Sequence, residues 1–219
     1  MTGKFIPFEH TALSLEEQRT RALDFLAFCR RRRSIREFAL TPVPQDLLAS
    51  LVLTAASAPS GANRQPWHFV VVTDAALKKT IREAAEAEEK ENYENRMPDE
   101  WLQDLAPLGT DWHKEFLETA PALIAVFAKN FDLDERSQHK NYYVKESVGI
   151  AVGFLLLAIH NAGLVALTHT PSPMDFLARL LNRPPNERAF VLIPVGYPKP
   201  GTVVPAISKK SLPEVSTWL

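Results

Sequence analysis

The sequence lacks the parts from which several common sites are built. It has one cysteine, Cys29, in 219 residues. An internal disulfide and a multi-cysteine metal centre are therefore excluded, and a reducing compartment is expected. Glycine is scarce, at 8 residues, and neither G-x-G-x-x-G nor G-x-x-x-x-G-K-[ST] occurs, which removes both backbone phosphate cradles. Any phosphate must be held by cationic side chains. The six histidines, His10, His68, His113, His139, His160 and His169, show neither H-x-x-x-H nor H-E-x-x-H spacing, so no metal site is expected. A G-x-S-x-G elbow is missing as well. Basic and acidic side chains nearly balance, 25 against 26, which leaves no long-range field for nucleic acid. The opening MTGKFIPFEH has no signal pattern. The apolar stretch from Ala151 to Leu167 is broken by His160, Asn161 and Gly163, too soon to span a bilayer. A cytoplasmic protein with no membrane partner is expected.

What is present is ordinary globular material, 46% apolar and 23% charged, enough for a single domain over residues 1–219. Ser14 with Glu17 forms a capping box that opens a helix to about Arg31. Cys29 lies in this amphipathic run, as a packed or surface thiol or as a nucleophile. Further helices are predicted at about 45–57, 75–92, around Trp101 and at about 111–119. A long, nearly all-apolar helix from Tyr142 to Asn161 should be buried on most faces. Gly149 and Gly153 in it permit a close neighbour. Strands are predicted at 67–72, 123–128, 164–167 and 190–195, a loop at 130–141, and an extended C-terminal stretch over about 197–219. Strands and helices without strict alternation give an α+β sandwich, helices around one central sheet.

Arg30-Arg31-Arg32-Arg33-Ser34 is the strongest local charge. It suits a helix C-terminus, where cations favour the dipole, and equally a phosphate, to which arginines offer bidentate donors. The neighbouring motifs point to the second use. Arg32-Arg33-Ser34-Ile35-Arg36, then Ala58-Pro59-Ser60-Gly61-Ala62-Asn63, then Gln65-Pro66-Trp67-His68-Phe69 resemble the FMN-binding opening of the nitroreductase superfamily. Pro194-Val195-Gly196-Tyr197-Pro198 resembles its closing strand and turn. Within the superfamily the chain is similar to the iodotyrosine deiodinase family. The segment from Glu88 to Met97, Trp101, Asp104-Leu105, Trp112-His113-Lys114-Glu115 and Thr119-Ala120-Pro121 carry that likeness.

The resemblance implies a mixed-sheet nitroreductase fold, an intertwined homodimer and bound FMN. It implies reductive dehalogenation of halotyrosines by one-electron steps, with NAD(P)H or a separate flavin reductase as electron donor. Arg32, Arg33, Ser34 and Arg36 would hold the phosphate and ribityl chain, with Pro59, Ser60 and Gly61 against the ring. Thr168 would lie beneath the flavin, and Thr170 would hydrogen-bond its N5 and tune it; the alternative for Thr170 is a helix cap near Met174. Lys209 stands where animal relatives carry an arginine, keeping charge but not the fork. Those relatives also carry an N-terminal membrane anchor that this sequence lacks. The Ala62 N–H would meet the substrate phenol. Glu89, Tyr93 and Lys114 would clasp its amino-acid end, on a lid of about residues 90–114.

The clasp also makes chemical sense without the family. Glu89 and Tyr93, four apart, share one helical face; a zwitterion needs one anion and one cation, which Glu89 and Lys114 supply. Without the family, the same residues also suit a solvated charged helix. The lid, poor in apolar pattern, should be mobile in the free protein, its three clasp residues partnered only when a ligand arrives. A general nitro or quinone reductase, or a flavin- or tyrosine-binding protein without turnover, are the other functions this pattern allows.

Overall fold

The computed structural model describes residues 5–133 and 138–219. The chain divides into two compact units, one ending at Arg32 and one running from Arg33 to Leu219. In the first, α1 spans Leu15–Arg31. The Ser14 hydroxyl accepts from the Glu17 N–H at 3.2 Å, and the Glu17 carboxylate accepts from the Ser14 N–H at 3.0 Å. This is the capping box expected from the sequence. None of the α1 residues is buried.

The second unit is built on strands β1 (Trp67–Val72), β2 (Ala122–Lys129), β5 (Val165–Ala166) and β6 (Glu187–Gly196). They form a four-stranded sheet in the order β1-β2-β6-β5. Every neighbouring pair is antiparallel. The sheet is mixed only through an isolated parallel bridge between Ser34 and Ala166. That bridge lays residues 33–36 along the β5 edge, where Ile35 N donates to Ala166 O at 3.1 Å.

β2 is buried on both sides because its side chains alternate between two apolar clusters. Ile124 and Val126 face α2 (Gln45–Ala56) and α6 (Val144–Asn161). Leu123, Ala125 and Phe127 face α3 (Ala75–Glu91), α5 (Phe116–Thr119) and α7 (Asp175–Leu180). Each such Leu or Ile, fully buried, contributes about 1.5–3 kcal/mol. Where β6 ends, a Cβ on Gly196 would strike the Pro121 ring and meet Phe38 at 3.2 Å. A glycine there lets the strand end pass close to the start of β2.

Two expectations need correction. α6 is not buried on most faces. Six of its residues are buried, Ser147, Val148, Ala151, Val152, Leu155 and Ile159; Ile150 and Phe154 are 44% and 39% exposed. A Cβ at Gly149 or Gly153 would meet nothing within 4 Å. Uniform apolarity hid a helix with one face packed and one face open. Its length and composition would also allow a membrane span, but the buried face belongs to the core. The second correction is at 130–141. Instead of a loop, Phe131–Leu133 (β3) and Gln138–Lys140 (β4) pair as an antiparallel hairpin; the middle of the expected loop, 134–137, lies outside the described residues. Its strands are only three residues each and β4 is wholly polar, too short for an alternation to announce them.

Beyond β6 the chain is extended apart from a turn at Pro200 and Gly201 and one turn of helix, α8 (Leu212–Val215), capped by Ser211 and Glu214.

Candidate active site

α3 brings Glu89 to its last turn. The helix then widens into a π-helical turn, Asn92–Arg96, that carries Tyr93; such turns recur at functional sites. Another helix, α4 (Asp99–Leu105), and a left-handed Gly109 return the chain to Lys114. Lys114 Nζ lies 3.2 Å from Glu89 Oε2 and 5.3 Å from the centre of the Tyr93 ring. It also donates to the Asp111 carbonyl. Glu89 and Lys114 are 7% and 3% exposed. Tyr93 Oη donates to the Thr110 carbonyl at 3.4 Å, and burial raises its hydroxyl above the ordinary tyrosine value.

The structure brings Glu89, Tyr93 and Lys114 together, in a pairing that the spacing of Glu89 and Tyr93 does not announce. The clasp was expected to stay unpartnered until a ligand came. It is instead closed on itself, because an unpaired ion this deep would carry a desolvation penalty of several kcal/mol.

These residues wall a cavity of about 530 Å3, with Arg36, Thr168, His169 and Thr170 on the β5 side. Burial pushes the half-buried Arg36 guanidinium below its ordinary value, opposed by the nearby Tyr93. Thr168 and Thr170 are exposed and His169 between them is buried, the alternation of extended backbone. Thr170 does not cap α7, whose N-cap is Met174 with no side-chain bond. A larger cavity of about 1090 Å3 lies between α2, β1, α3 and α5. Its cations are already engaged, Lys78 by the Glu118 and Ala120 carbonyls and Arg82 by Glu86 and Glu118.

His169 went unread as a site residue. Its Nε2 is buried without a hydrogen-bond partner, and its ring meets Phe116 edge-on at 5.6 Å. Burial first, then the Lys114 and Arg36 charges, hold its pKa down from 6.5 to about 3. The unfolded chain thus binds the proton that the folded one refuses. This contribution to stability should be complete above about pH 6.5 and be lost as the pH falls from there toward about pH 3. Denaturant melts across that range should show a slope that His169→Phe flattens; an unchanged slope would mean His169 accepts the proton in the fold.

The other expected residues lie outside this cavity's walls. Arg32 is the C-cap of α1. Arg33 donates to the Pro205 carbonyl, and Lys209 is exposed. Around Pro59, Ser60 and Gly61 the chain turns sharply. Ala62, Asn63 and Gln65 take left-handed φ values of 49°, 53° and 49°, and a Cβ on Gly61 would press on Tyr143 and the Tyr142 carbonyl at 3.0 and 3.1 Å. Arg64 secures the turn through Asn141 Oδ1 at 2.9 Å and Asp132 Oδ2 at 2.7 Å. A conformation so unusual for alanine and glutamine persists only where its surroundings enforce it.

The fold and the cation-lined sheet edge define a class. Residues 29–197 match the nitroreductase family, and the chain belongs to it. The chain is 56% identical to the iodotyrosine deiodinase of Haliscomenobacter hydrossis, over 94% of this chain and 93% of that one. It is 44% identical to the iodotyrosine deiodinase of Hydra vulgaris, over 96% and 78%. A crystal structure of oxidized iodotyrosine deiodinase bound to FMN and 3-iodo-L-tyrosine superposes with a TM-score of 0.75 at 33% identity, covering 88% of this chain and 99% of that one. Within the nitroreductase family, the chain is a member of the iodotyrosine deiodinase group.

Proposed function

We propose that the protein is an FMN-dependent iodotyrosine deiodinase that reductively removes halide from halotyrosines. The observation that carries this reading is the buried Glu89–Lys114 pair, 3.2 Å apart, with the Tyr93 ring beside it. A general nitro or quinone reductase has no use for one anion and one cation at that place. A zwitterion exchanges partners with them: its ammonium takes Glu89 and its carboxylate takes Lys114. The Tyr93 ring forms a wall, and the Ala62 N–H meets the phenol oxygen.

FMN suits the residues present, because Arg36 and the hydroxyls of Thr168 and Thr170 share one cavity edge and Arg33 adds a cation on the adjoining segment. When bound and reduced, FMN supplies the electrons of the reaction. The aryl–halogen bond is replaced by an aryl–hydrogen bond, two electrons and a proton are taken up, and halide leaves. Thr170 is the residue we place against the flavin N5, where its hydroxyl favours one-electron steps. Arg32, Ser34, Pro59, Ser60, Gly61 and Lys209 complete the flavin site. NAD(P)H, directly or through a flavin reductase, is the electron donor, and the compartment is the cytoplasm. The working form is a homodimer in which both chains contribute to each site: the open α6 face around Gly149, Ile150, Gly153 and Phe154 needs cover. Residues 90–114 act as the lid.

Titration of the FMN-loaded protein by flavin fluorescence tests the substrate class. Iodotyrosine should bind roughly a hundred-fold more tightly than iodophenol, the scale of charge-assisted contacts to its amino-acid end. Equal affinity would favour the general reductase.

A further inference from the structure

Lys114 precedes α5 in a non-helical stretch, whose own residues hold its side chain only through the Asp111 carbonyl. What fixes it is α3. The Lys114 backbone N–H donates to Glu86 Oε1 at 2.7 Å, while its ammonium reaches Glu89 at 3.2 Å. Glu86 and Glu89 are three apart and share a helical face, so Lys114 is held at both ends by one helix. The other Glu86 oxygen accepts from Arg82 Nη1 at 2.9 Å, and Arg82 Nε donates to Glu118 on α5 at 2.7 Å. Lys78, one turn earlier, donates to the Glu118 and Ala120 carbonyls at 3.1 and 2.6 Å. A stripe along α3, Lys78, Arg82, Glu86 and Glu89, thus secures α5 and the residue that leads into it.

We infer that Glu86 is a positioning residue that sets the preference for substrates carrying an amino-acid end. This rests on the clasp reading above and goes beyond it. When a zwitterion's ammonium occupies Glu89, Lys114 keeps the Asp111 carbonyl but loses its anionic partner and turns to the carboxylate. The Glu86 hydrogen bond then remains as the anchor that keeps its backbone in reach. Arg82 matters to the same end, because it neutralises Glu86, which would otherwise compete for the Lys114 ammonium. Ligands without the amino-acid end never draw on Lys114, so Glu86 is indifferent to them.

The test is a flavin-fluorescence titration of the FMN-loaded protein with iodotyrosine and with iodophenol, on the parent, Glu86→Ala and Glu86→Gln. Glu86→Ala should weaken iodotyrosine roughly ten-fold, the scale of one hydrogen bond with a charged partner, and leave iodophenol within about two-fold. Glu86→Gln keeps an acceptor for the Lys114 N–H and should recover most of the loss; it also serves if the alanine variant does not fold. The ratio of the two affinities is the readout, since a merely structural role would move both ligands together. A parent that discriminates, with variants that discriminate equally or lose both ligands alike, overturns the role of Glu86 alone. A parent with no preference overturns the clasp reading and this inference with it.

Discussion

Replacing Lys114 by methionine should destabilise the protein by about 3 kcal/mol, and Glu89→Gln should have an effect of similar size. Each change leaves a buried group without the partner that offset its desolvation. The double variant should recover most of that stability, because removing both members of a buried pair leaves no charge behind. It should nevertheless lose its preference for iodotyrosine over iodophenol as completely as either single variant. Stability and recognition therefore part company in the double variant. Denaturant melts and fluorescence titrations on the four proteins measure both. Single-variant losses below about 1 kcal/mol, as for an exposed pair, would show that the pair is solvated and not the closed clasp described here.

The second large effect concerns the cofactor. With no glycine-rich cradle in the chain, the phosphate of FMN depends on guanidinium groups. Arg32→Ala with Arg33→Ala should remove two charge-assisted contacts, each about 1.5–3 kcal/mol. The expected result is a roughly hundred-fold or greater loss of FMN affinity and a colourless preparation after gel filtration. Arg33 also donates to the Pro205 carbonyl, so the tail from Pro205 to Lys209 should become more open to protease in the same variant. A double variant that purifies yellow would place the phosphate elsewhere.

Much of this was legible beforehand where local rules act alone. The Ser14–Glu17 capping box and the run Trp67–Val72 declare themselves by side-chain chemistry and apolar continuity, and both stand in the structure as read. The spacing of Glu89 and Tyr93 put them on one helical face, and the structure keeps them together beside Lys114. What escaped is what depends on partners distant in sequence. Nothing local says that Glu89 meets Lys114 before any ligand does, or that Glu86 holds the Lys114 N–H. The turn at Ala62, Asn63 and Gln65 was readable as a loop from Pro59 and Gly61. Of its left-handed residues only Asn63 is of a type that favours positive φ; Ala62 and Gln65 give no hint of it, and Arg64 between them is tied to Asp132 and Asn141. The open face of α6 was hidden because apolar composition does not distinguish a face buried in the core from one left open.

Whether a reduced flavin and a zwitterion clasp in this chain remove halide from halotyrosine is decided by reducing the FMN-loaded protein with dithionite, adding iodotyrosine without oxygen, and measuring iodide and tyrosine against flavin oxidised. Iodide and tyrosine should appear in equal amounts, with iodophenol releasing far less under the same conditions. Flavin that is reoxidised rapidly by nitroaromatics or quinones while iodotyrosine yields no iodide would contradict it.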